Sequence, residues 1–397
     1  MKLHKIIFFI LGWVGMVFYF TQRWIYGPLI PTLMEEFEVS RTALGVVGSS
    51  SLWGYMFTTI LAGVLSDRFG RKYAVLFGIF GFSFLTAVCG LANSTQQIFA
   101  IRFITGMVEA FYFIPLIALT LELFPERPGF YVTFMSSGSS LGWFTGPALA
   151  GWLLDMTGNW RAPFLVTGIS GLVVAFLLLA FWPKETKRFH AGAFFNRDIL
   201  KSRHLIMLFL LSLTATFQIS AEFGFTMWYP VFLKTELGIA IGMAGLIAGM
   251  YGIGQFIGRP VLGWASDKLG YRKIGVAGGL VLVLSLALIL SMNNNLLRAG
   301  LTFLAGFTGA AVMGSLWTFT GLAFSNYKGL ALGIIVTFGY VLSSSAPIAI
   351  GYLGDHYSVS LGILWVCVPA AFLACVAFAA TIFVKLPATK KMDNQIG

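Results

Sequence analysis

Charge is what this sequence has least of. Only 10% of its 397 residues are Asp, Glu, Lys or Arg, whereas 58% are hydrophobic; soluble domains carry about 25% charged residues. Runs of apolar residues without any charge recur along the whole chain, among them 6–20, 73–91, 169–181 and 276–290. A soluble core could not bury so much apolar surface, so a soluble globular domain is excluded and the bilayer is the solvent for most residues.

Cysteines and nucleotide-binding motifs are also scarce, and this narrows the function. The three cysteines, Cys89, Cys367 and Cys375, lie inside apolar runs, where a thiol behaves as a small hydrophobic group and no disulfide framework can form. No glycine-rich phosphate loop is present, which argues against ATP-driven transport. We therefore expect no enzymatic activity, no cofactor and no metal, and a proton gradient as the energy source.

Basic residues outnumber acidic ones, at 26 against 15, which gives a net charge of +11. Such an excess can indicate nucleic-acid binding, but these residues are scattered through short connections without a basic helix or an RNA-binding motif. They fit membrane topology better, because a cytoplasmic N-terminus would place 19 of the 26 inside and four outside. The sequence predicts a multi-pass protein of the cell membrane, embedded in lipid, with cytoplasmic termini and no nucleic-acid partner.

Twelve apolar stretches are long enough to cross a bilayer as helices, at about 20 residues per crossing. Their approximate limits are 6–33, 44–65, 73–92, 97–121, 130–154, 162–182, 204–233, 241–265, 274–292, 297–323, 329–353 and 360–384. The connection 183–203 carries six basic and two acidic residues and is predicted to be a cytoplasmic linker. The predicted fold is therefore an all-α membrane protein of two pseudo-symmetric six-helix bundles, 1–182 and 204–397.

The chain repeats itself at an offset of 200 residues. The segment Gly63-Val-Leu-Ser-Asp67-Arg-Phe-Gly70 returns as Gly263-Trp-Ala-Ser-Asp267-Lys-Leu-Gly270, and an Arg-Lys pair follows each copy. The same offset aligns two further sets of residues, Pro147, Gly151 and Asp155 with Pro347, Gly351 and Asp355, and Phe103, Gly106 and Ala110 with Phe303, Gly306 and Ala310. Several alignments in one register indicate a duplication, and duplicated helical halves with a shared site are typical of secondary transporters.

The pattern Gly-x-x-x-Asp-Arg-x-Gly-Arg-Lys at 63–72 is similar to the loop between the second and third spans of the major facilitator superfamily. With the repeat, the resemblance covers essentially the whole chain and implies two bundles that carry a solute by alternating access. A carboxylate at a helix end beside basic residues can hold neighbouring helix ends together in one state and release them in another. Topogenic charge alone would explain the arginines but not the repeated Gly and Asp. We therefore assign to gating Asp67, Arg68 and Arg71 and their counterparts Asp267, Lys268 and Arg272.

Five ionisable residues fall within predicted spans, where each costs about 2.5–3.5 kcal/mol on insertion scales and so suggests a function. They are Arg23, Arg102, Glu109, Glu222 and Arg259, and they are accompanied by Gln22, Gln218 and Gln255. Arg102 and Glu109 are seven residues apart in one span and so share a helix face, about 10 Å from each other. A structural ion pair at that separation would need a third partner, so we interpret both as transport residues.

The five residues suggest different roles. Glu109 in a dry cavity could load and release a proton and is the first candidate for proton coupling. Glu222 is a second candidate, unless it lies in a wetted vestibule near Gln218. Arg23 cannot lose its charge, so it needs an anionic partner, either a substrate carboxylate or one of the two glutamates. Arg259 could contact substrate or extend to the inner interface.

The pairs Gln22-Arg23 in the first span and Arg102-x-x-x-Gly106-x-x-Glu109 in the fourth resemble the anion:cation symporter family, which includes sugar-acid and vesicular glutamate transporters. The resemblance implies that Arg23 and Arg102 serve the anionic substrate and that Glu109 takes the proton. Many members have an acidic residue before the first-span arginine. Gln22 takes that place here, which removes one titratable site, so a two-proton stoichiometry does not carry over.

A second resemblance gives an alternative. The motif Gln255-x-x-x-Arg259-Pro260 is similar to Asp-x-x-x-Arg-Pro in the eighth span of proton-linked monocarboxylate transporters, with Gln in place of Asp, but that family's first-span motif is absent. Gln255 and Arg259 are therefore substrate-binding candidates. Three further candidates are Gln22 and the mid-span tyrosines Tyr55 and Tyr112.

These patterns together predict a proton-coupled symporter of a small organic anion, a carboxylate, that acts as a monomer. Substrate meets Arg23 or Arg102, and protonation of Glu109 permits the loaded carrier to reorient. Besides the monocarboxylate transporter, the alternatives are a drug/proton antiporter that exports lipophilic compounds and a non-transporting membrane sensor. An exporter would more naturally line its cavity with acids, and a sensor would need a signalling domain or long tail, which we do not expect here.

Overall fold

The protein is described here from a computed structural model that covers residues 2–124, 128–182, 202–324 and 328–384, and every regular element in these ranges is helical. The fourteen α-helices are α1 Lys2–Trp24, α2 Tyr26–Phe37, α3 Arg41–Phe69, α4 Arg71–Cys89, α5 Thr95–Leu123, α6 Pro128–Thr157, α7 Arg161–Ala180, α8 Ser202–Thr235, α9 Ile241–Leu269, α10 Tyr271–Ile289, α11 Asn295–Ala323, α12 Lys328–Ser343, α13 Ser345–His356 and α14 Val359–Ala380. A short 3-10 turn, Thr381–Phe383, follows α14. The predicted all-α class is confirmed.

Ten helical stretches are long and apolar enough to cross a membrane, counted over the described residues. They coincide with ten of the predicted spans, and the first of them, His4–Phe37, contains most of α1 and the whole of α2. The other two predicted spans, 44–65 and 130–154, fall on α3 and α6. These two helices carry the serine-rich stretches 48–51 and 136–140, which lower their apolar character.

The internal repeat is visible in the helix limits. Helices α9, α10 and α11 begin and end 200 residues after α3, α4 and α5. The close contacts repeat as well, because a Cβ on Gly106 would overlap the carbonyl of Ser51, and a Cβ on Gly306 would overlap the carbonyl of Tyr251. Only a hydrogen side chain lets two helix backbones approach so closely. The duplication therefore extends from sequence motifs to backbone packing.

Two compact units can be distinguished over the described residues, one with Met1–Ala191 and Pro230–Gly249, the other with Gly192–Tyr229 and Met250–Gly397. The core of the first is rich in aromatic side chains from α1, α4 and α5, including Tyr19, Phe82 and Tyr112. In the second, the Trp228 indole N–H donates to the carbonyl of Pro347 at 2.9 Å. The domain limits 1–182, 183–203 and 204–397 stay a prediction, since most of that linker lies outside the described residues.

Within the first unit, α6 and the start of α9 are in close contact. The Asp155 carboxylate accepts a hydrogen bond from the backbone N–H of Gly242 at 2.8 Å, in the first turn of α9. A Cβ on Gly245 would overlap the carbonyl of Pro147. A negative charge at a helix N-terminus is favourable, so Asp155 caps α9 while the glycines bring the two backbones together.

The first predicted span is interrupted one residue after Trp24. Helix α1 ends at Trp24 and α2 begins at Tyr26, with Ile25 as the link. Pro28 has no N–H, so it cannot bond the carbonyl of Trp24 four residues earlier, and the regular ladder stops there. This interruption places Arg23 in the last turn of α1.

Candidate functional site

An ion pair buried in the first unit joins two of the predicted residues. Nη2 of Arg23, from the last turn of α1, lies 2.9 Å from Oε2 of Glu109, from the middle of α5, and each side chain is only 3% exposed. Of the anionic partners considered for Arg23, the structure therefore places Glu109 against it. Two opposite charges at this distance cancel each other's field and make burial of both tolerable.

Two tyrosine rings flank the same guanidinium. Cζ of Arg23 lies 5.6 Å from the ring centroid of Tyr19 and 5.3 Å from that of Tyr55. A guanidinium over an aromatic face gains about 0.5–2 kcal/mol, more when water is excluded. Tyr55 was among the predicted substrate-binding residues and Tyr19 was not, although its position four residues before Arg23 places it one helical turn away.

Arg102 is the unusual residue of the site. Its side chain is 7% exposed, and its guanidinium carbon lies 4.5 Å from the ring centroid of Tyr26. With the residues that the structure describes, it makes neither a hydrogen bond nor an ion pair. The seven-residue spacing from Glu109 puts it on the same face of α5 but does not bring the charges into contact. Two arginines therefore face one glutamate, and the site carries an excess positive charge.

A small cavity lies between these charged groups. Its volume is about 10 Å³, room for about one water molecule. Besides the three charged residues, its lining includes Gln22, Ser51, Thr86, Cys89, Thr105 and Phe164. Most of the lining is polar, with two guanidinium groups, one carboxylate, three hydroxyl groups and one amide beside Cys89 and Phe164, and it suits a polar anion. A substrate larger than a water molecule would need this cavity to widen.

Two other predicted substrate-binding residues in this unit are held by internal hydrogen bonds. The Gln22 amide N–H donates to the carbonyl of Thr167 at 2.9 Å and to Oγ of Ser83 at 3.5 Å, which ties α1 to α7 and α4. The Tyr112 hydroxyl donates to the carbonyl of Gly12 at 3.0 Å. Gln22 still lines the cavity, whereas Tyr112 lies in the aromatic core outside the described lining.

A second buried polar cluster lies in the other unit. Oε1 of Glu222 accepts from the side-chain amides of Gln218, at 2.9 Å, and Gln255, at 3.4 Å. Nη2 of Arg259 donates to Oε1 of Gln255 at 3.1 Å. Glu222 is 5% exposed, so in this state it is enclosed by protein rather than in a wetted vestibule. The predicted residues Glu222, Gln255 and Arg259 are therefore neighbours in one network.

Comparison with known families identifies the scaffold. The profile of the Major Facilitator Superfamily matches residues 12–235 and again 211–396, so it covers nearly the whole chain. The chain belongs to the major facilitator superfamily. It is thus a membrane transporter and not an enzyme, and the resemblance inferred from the loop motif and the repeat is confirmed.

Three relatives of this transporter are named for the organic acids they carry. The cis,cis-muconate transport protein of Acinetobacter baylyi is 29% identical over 92% of this chain and 90% of its own length. The gallate transporter of Pseudomonas putida is 28% identical over 71% of this chain and 70% of its own. The gentisate transporter of Corynebacterium glutamicum is 26% identical, with 87% and 80% covered.

Solved structures share the fold. A D-xylose-proton symporter superposes with a TM-score of 0.77 at 17% identity, over 97% of this chain and 98% of that one. A bacterial homologue of the human lysosomal transporter Spinster, in an inward-facing and occupied conformation, gives 0.79 at 15% identity, over 96% and 98%. Identities this low establish the major facilitator fold and nothing about the solute.

The predicted gating residues of the transporter's first copy lie at the junction of α3 and α4. Arg71 forms an ion pair with Glu122 near the end of α5. Arg68 is exposed, and the side chain of Asp67 lies outside the described residues. Glu122 was not predicted as a site residue, because acidic residues are common near the ends of spans, where the membrane meets water. The pair ties the loop to a neighbouring helix of its own unit.

The second copy of the loop, between α9 and α10, makes different contacts. The Tyr271 hydroxyl donates to Oδ1 of Asp267, and Nζ of Lys268 lies 4.1 Å from the ring centroid of Trp264. Nη2 of Arg272 donates to the carbonyl of Thr381 at 2.9 Å, at the end of α14. In both copies the loop arginine anchors the loop inside its own unit, and gating stays a prediction.

Proposed function

We propose that this transporter carries a small organic anion with a carboxylate group and couples its movement to protons. The observation that carries the proposal is the buried guanidinium of Arg102, which has no anionic partner among the described residues and lines a cavity. A carboxylate is the natural ligand for such a group, because its two oxygens match the guanidinium fork. Excess positive charge argues against an exporter of cations.

The Arg23–Glu109 pair supports the proposed proton coupling. When Glu109 takes a proton, Arg23 loses its anionic partner and the site gains one positive charge, which raises its affinity for an anion. By linkage, a bound anion raises the affinity of Glu109 for the proton by the same factor. Anion and proton therefore bind together, which is the requirement for symport.

Aromatic side chains beside the two arginines narrow the proposed substrate class further. The relatives named above carry muconate, gallate and gentisate, and a further relative is a 4-hydroxybenzoate transporter. In this chain, Tyr19, Tyr26 and Tyr55 surround the two arginines. Flat conjugated acids can stack on such rings while a carboxylate meets a guanidinium. We define the carboxylate panel as cis,cis-muconate, gallate, gentisate and 4-hydroxybenzoate.

The same proposal includes the topology. Twelve spans in two bundles, both termini in the cytoplasm and residence in the cell membrane agree with the distribution of basic residues along the sequence. The loop residues around Asp67 and Asp267 would control the inner side of the carrier, which would act as a monomer. Cysteine labelling from either side of the membrane at positions 93 and 385 tests the orientation.

Transport in proteoliposomes tests the function. Uptake of each panel acid is measured with and without an inward proton gradient for the wild type, Glu109→Gln and Glu36→Gln. Glu36 is the matched control, because it also pairs with an arginine, Arg161, at 2.7 Å, but its side chain is 37% exposed.

We expect gradient-driven accumulation for the wild type and Glu36→Gln. Glu109→Gln should accumulate less substrate than the wild type but retain counterflow, since its neutral side chain resembles the protonated state. The proposal fails if no panel acid is taken up, or if Glu109→Gln accumulates substrate as the wild type does.

A further inference from the structure

The two units carry their buried acids at swapped positions of the repeat. At the offset of 200, Gln22 corresponds to Glu222, and Glu109 corresponds to Gly309. In the first unit α5 supplies the acid and α1 the amide, whereas in the second α8 supplies the acid and α11 supplies a glycine. A Cβ on Gly309 would lie 2.8 Å from the Tyr251 hydroxyl and 3.4 Å from Oε1 of Glu222. The glycine therefore leaves the space into which the relocated acid fits.

The two acids differ in what neutralises them. Glu109 is bound by a guanidinium, whereas the groups that meet Glu222 are neutral: the side-chain amides of Gln218 and Gln255 donate to its Oε1, and the Tyr251 hydroxyl faces it. No Lys or Arg lies within ion-pair distance of Glu222 in the described parts of the chain. The charged group that acts on it, Arg259, is held one side chain away through Gln255. Burying a carboxylate without a contacting countercharge is costly, so this environment favours the neutral acid, with the proton on Oε2.

The balance of hydrogen-bond donors and acceptors in the cluster also favours a protonated Glu222. Oε1 of Gln218 is buried and accepts no hydrogen bond from any described residue. Groups facing Glu222 are Gln218 from its own helix, Tyr251, Gln255 and Arg259 from α9, and Gly309 from α11. An orphaned acceptor in a buried cluster needs a donor, and a proton on the acid would add one.

We infer that Glu222, in the unit that does not contain the anion site, is a second proton-carrying group, so that two protons move with each anion. This rests on the proposed function, because it presumes that anion uptake is proton-coupled at Glu109. Glu222 holds its proton on Oε2 in the state described here. When the transporter changes to its other alternating-access state and the cluster opens, Glu222 releases the proton to water on that side of the membrane. It takes up a new proton from the original side after the transporter returns.

Proton-to-anion stoichiometry tests the inference. It is measured in proteoliposomes, with the membrane potential clamped at zero, from the pH gradient at which net flux of a panel acid against a fixed concentration gradient reverses, for the wild type, Glu222→Gln and Glu236→Gln. Glutamine at 222 keeps the shape and an oxygen that can accept from both amides. Glu236 is the control, because it follows the end of the same helix and is exposed.

We expect two protons per anion for the wild type and Glu236→Gln, and one for Glu222→Gln. A wild-type ratio in Glu222→Gln overturns the inference and leaves the proposed function intact. Absence of proton-coupled uptake in the wild type would instead refute the proposed function. A sodium gradient is run in parallel, and sodium-driven uptake that depends on Glu222 would assign the site to Na⁺ and contradict the proton.

A second measurement keeps the inference testable if Glu222→Gln does not fold. The infrared band of a protonated carboxylic acid is recorded at neutral pH on Glu109→Gln, which removes the other buried acid of the two clusters. We expect the band to persist and to exchange slowly in heavy water. A spectrum without any protonated carboxyl band would overturn the inference.

Discussion

Replacing Arg102 with methionine should make the transporter more stable and at the same time abolish substrate binding. Arg102 is a buried cation without an ion pair or hydrogen bond to the described residues, and its recorded contact is the ring of Tyr26 at 4.5 Å. A residue kept for stability would not be left in this environment. Methionine fills a similar volume without charge.

The magnitude follows from two opposing terms. Removing an arginine from within a span returns about 2.5–3.5 kcal/mol on insertion scales. Losing the contact with Tyr26 costs about 0.5–2 kcal/mol. The free energy of unfolding should therefore rise by about 0.5–3 kcal/mol in Arg102→Met. In the wild type, a panel acid at 100 times its dissociation constant should add about 2.7 kcal/mol, and this gain should vanish in the variant.

Thermal unfolding in detergent, with and without each panel acid, measures both effects. Arg161→Met is the matched control, since Arg161 also lies over an aromatic ring, that of Trp160 at 4.4 Å, but has Glu36 as its partner. This variant should lose up to about 1 kcal/mol and keep the ligand-induced shift. A lower unfolding temperature for Arg102→Met, or a ligand-induced shift that persists in it, would refute the reasoning.

Three further predictions concern contacts around the site and the scaffold. Gly106→Ala should lower the free energy of unfolding by about 1–3 kcal/mol because the new Cβ overlaps the Ser51 carbonyl. Gly314→Ala is the control, since the space around Gly314 is open and the free energy of unfolding should not fall. Thermal unfolding of the two variants measures the difference. Tyr26→Leu should weaken binding of 4-hydroxybenzoate about 2- to 30-fold in calorimetry, and Tyr26→Phe, which keeps the ring, should not. Asp155→Asn, which loses the charge at the start of α9, should lower the unfolding free energy by about 0.3–1 kcal/mol at low salt and by less at high salt.

The scaffold could be predicted from the sequence because its signals are local or repeated. The lengths of the apolar runs give the number of spans directly. The 200-residue offset in the sequence identifies the equivalent segments, and the helix limits agree with it. The spacing of Arg102 and Glu109 correctly placed both on one face of α5. The interruption between α1 and α2 was not predicted, although Pro28 carries its physical cause.

The site could be predicted only in part, because side chains meet across helices through crossing geometry that spacing does not contain. Arg23 had several possible partners in the sequence, and only the approach of α1 to α5 selects Glu109. For the same reason the ring of Tyr26 beneath Arg102 and the pairing of Arg71 with Glu122 were not predicted.

The central claim, that anion binding and proton binding are linked through Glu109, is tested most directly by counting protons on binding. Calorimetric titration of a panel acid into purified transporter, in buffers that differ in ionisation enthalpy, gives the number of protons taken up per anion. We predict an uptake approaching one proton per anion for the wild type at a pH where Glu109 is ionised. Glu109→Gln should take up none, and Glu222→Gln should match the wild type. Binding without proton uptake in the wild type, or equal uptake in Glu109→Gln, would contradict the account.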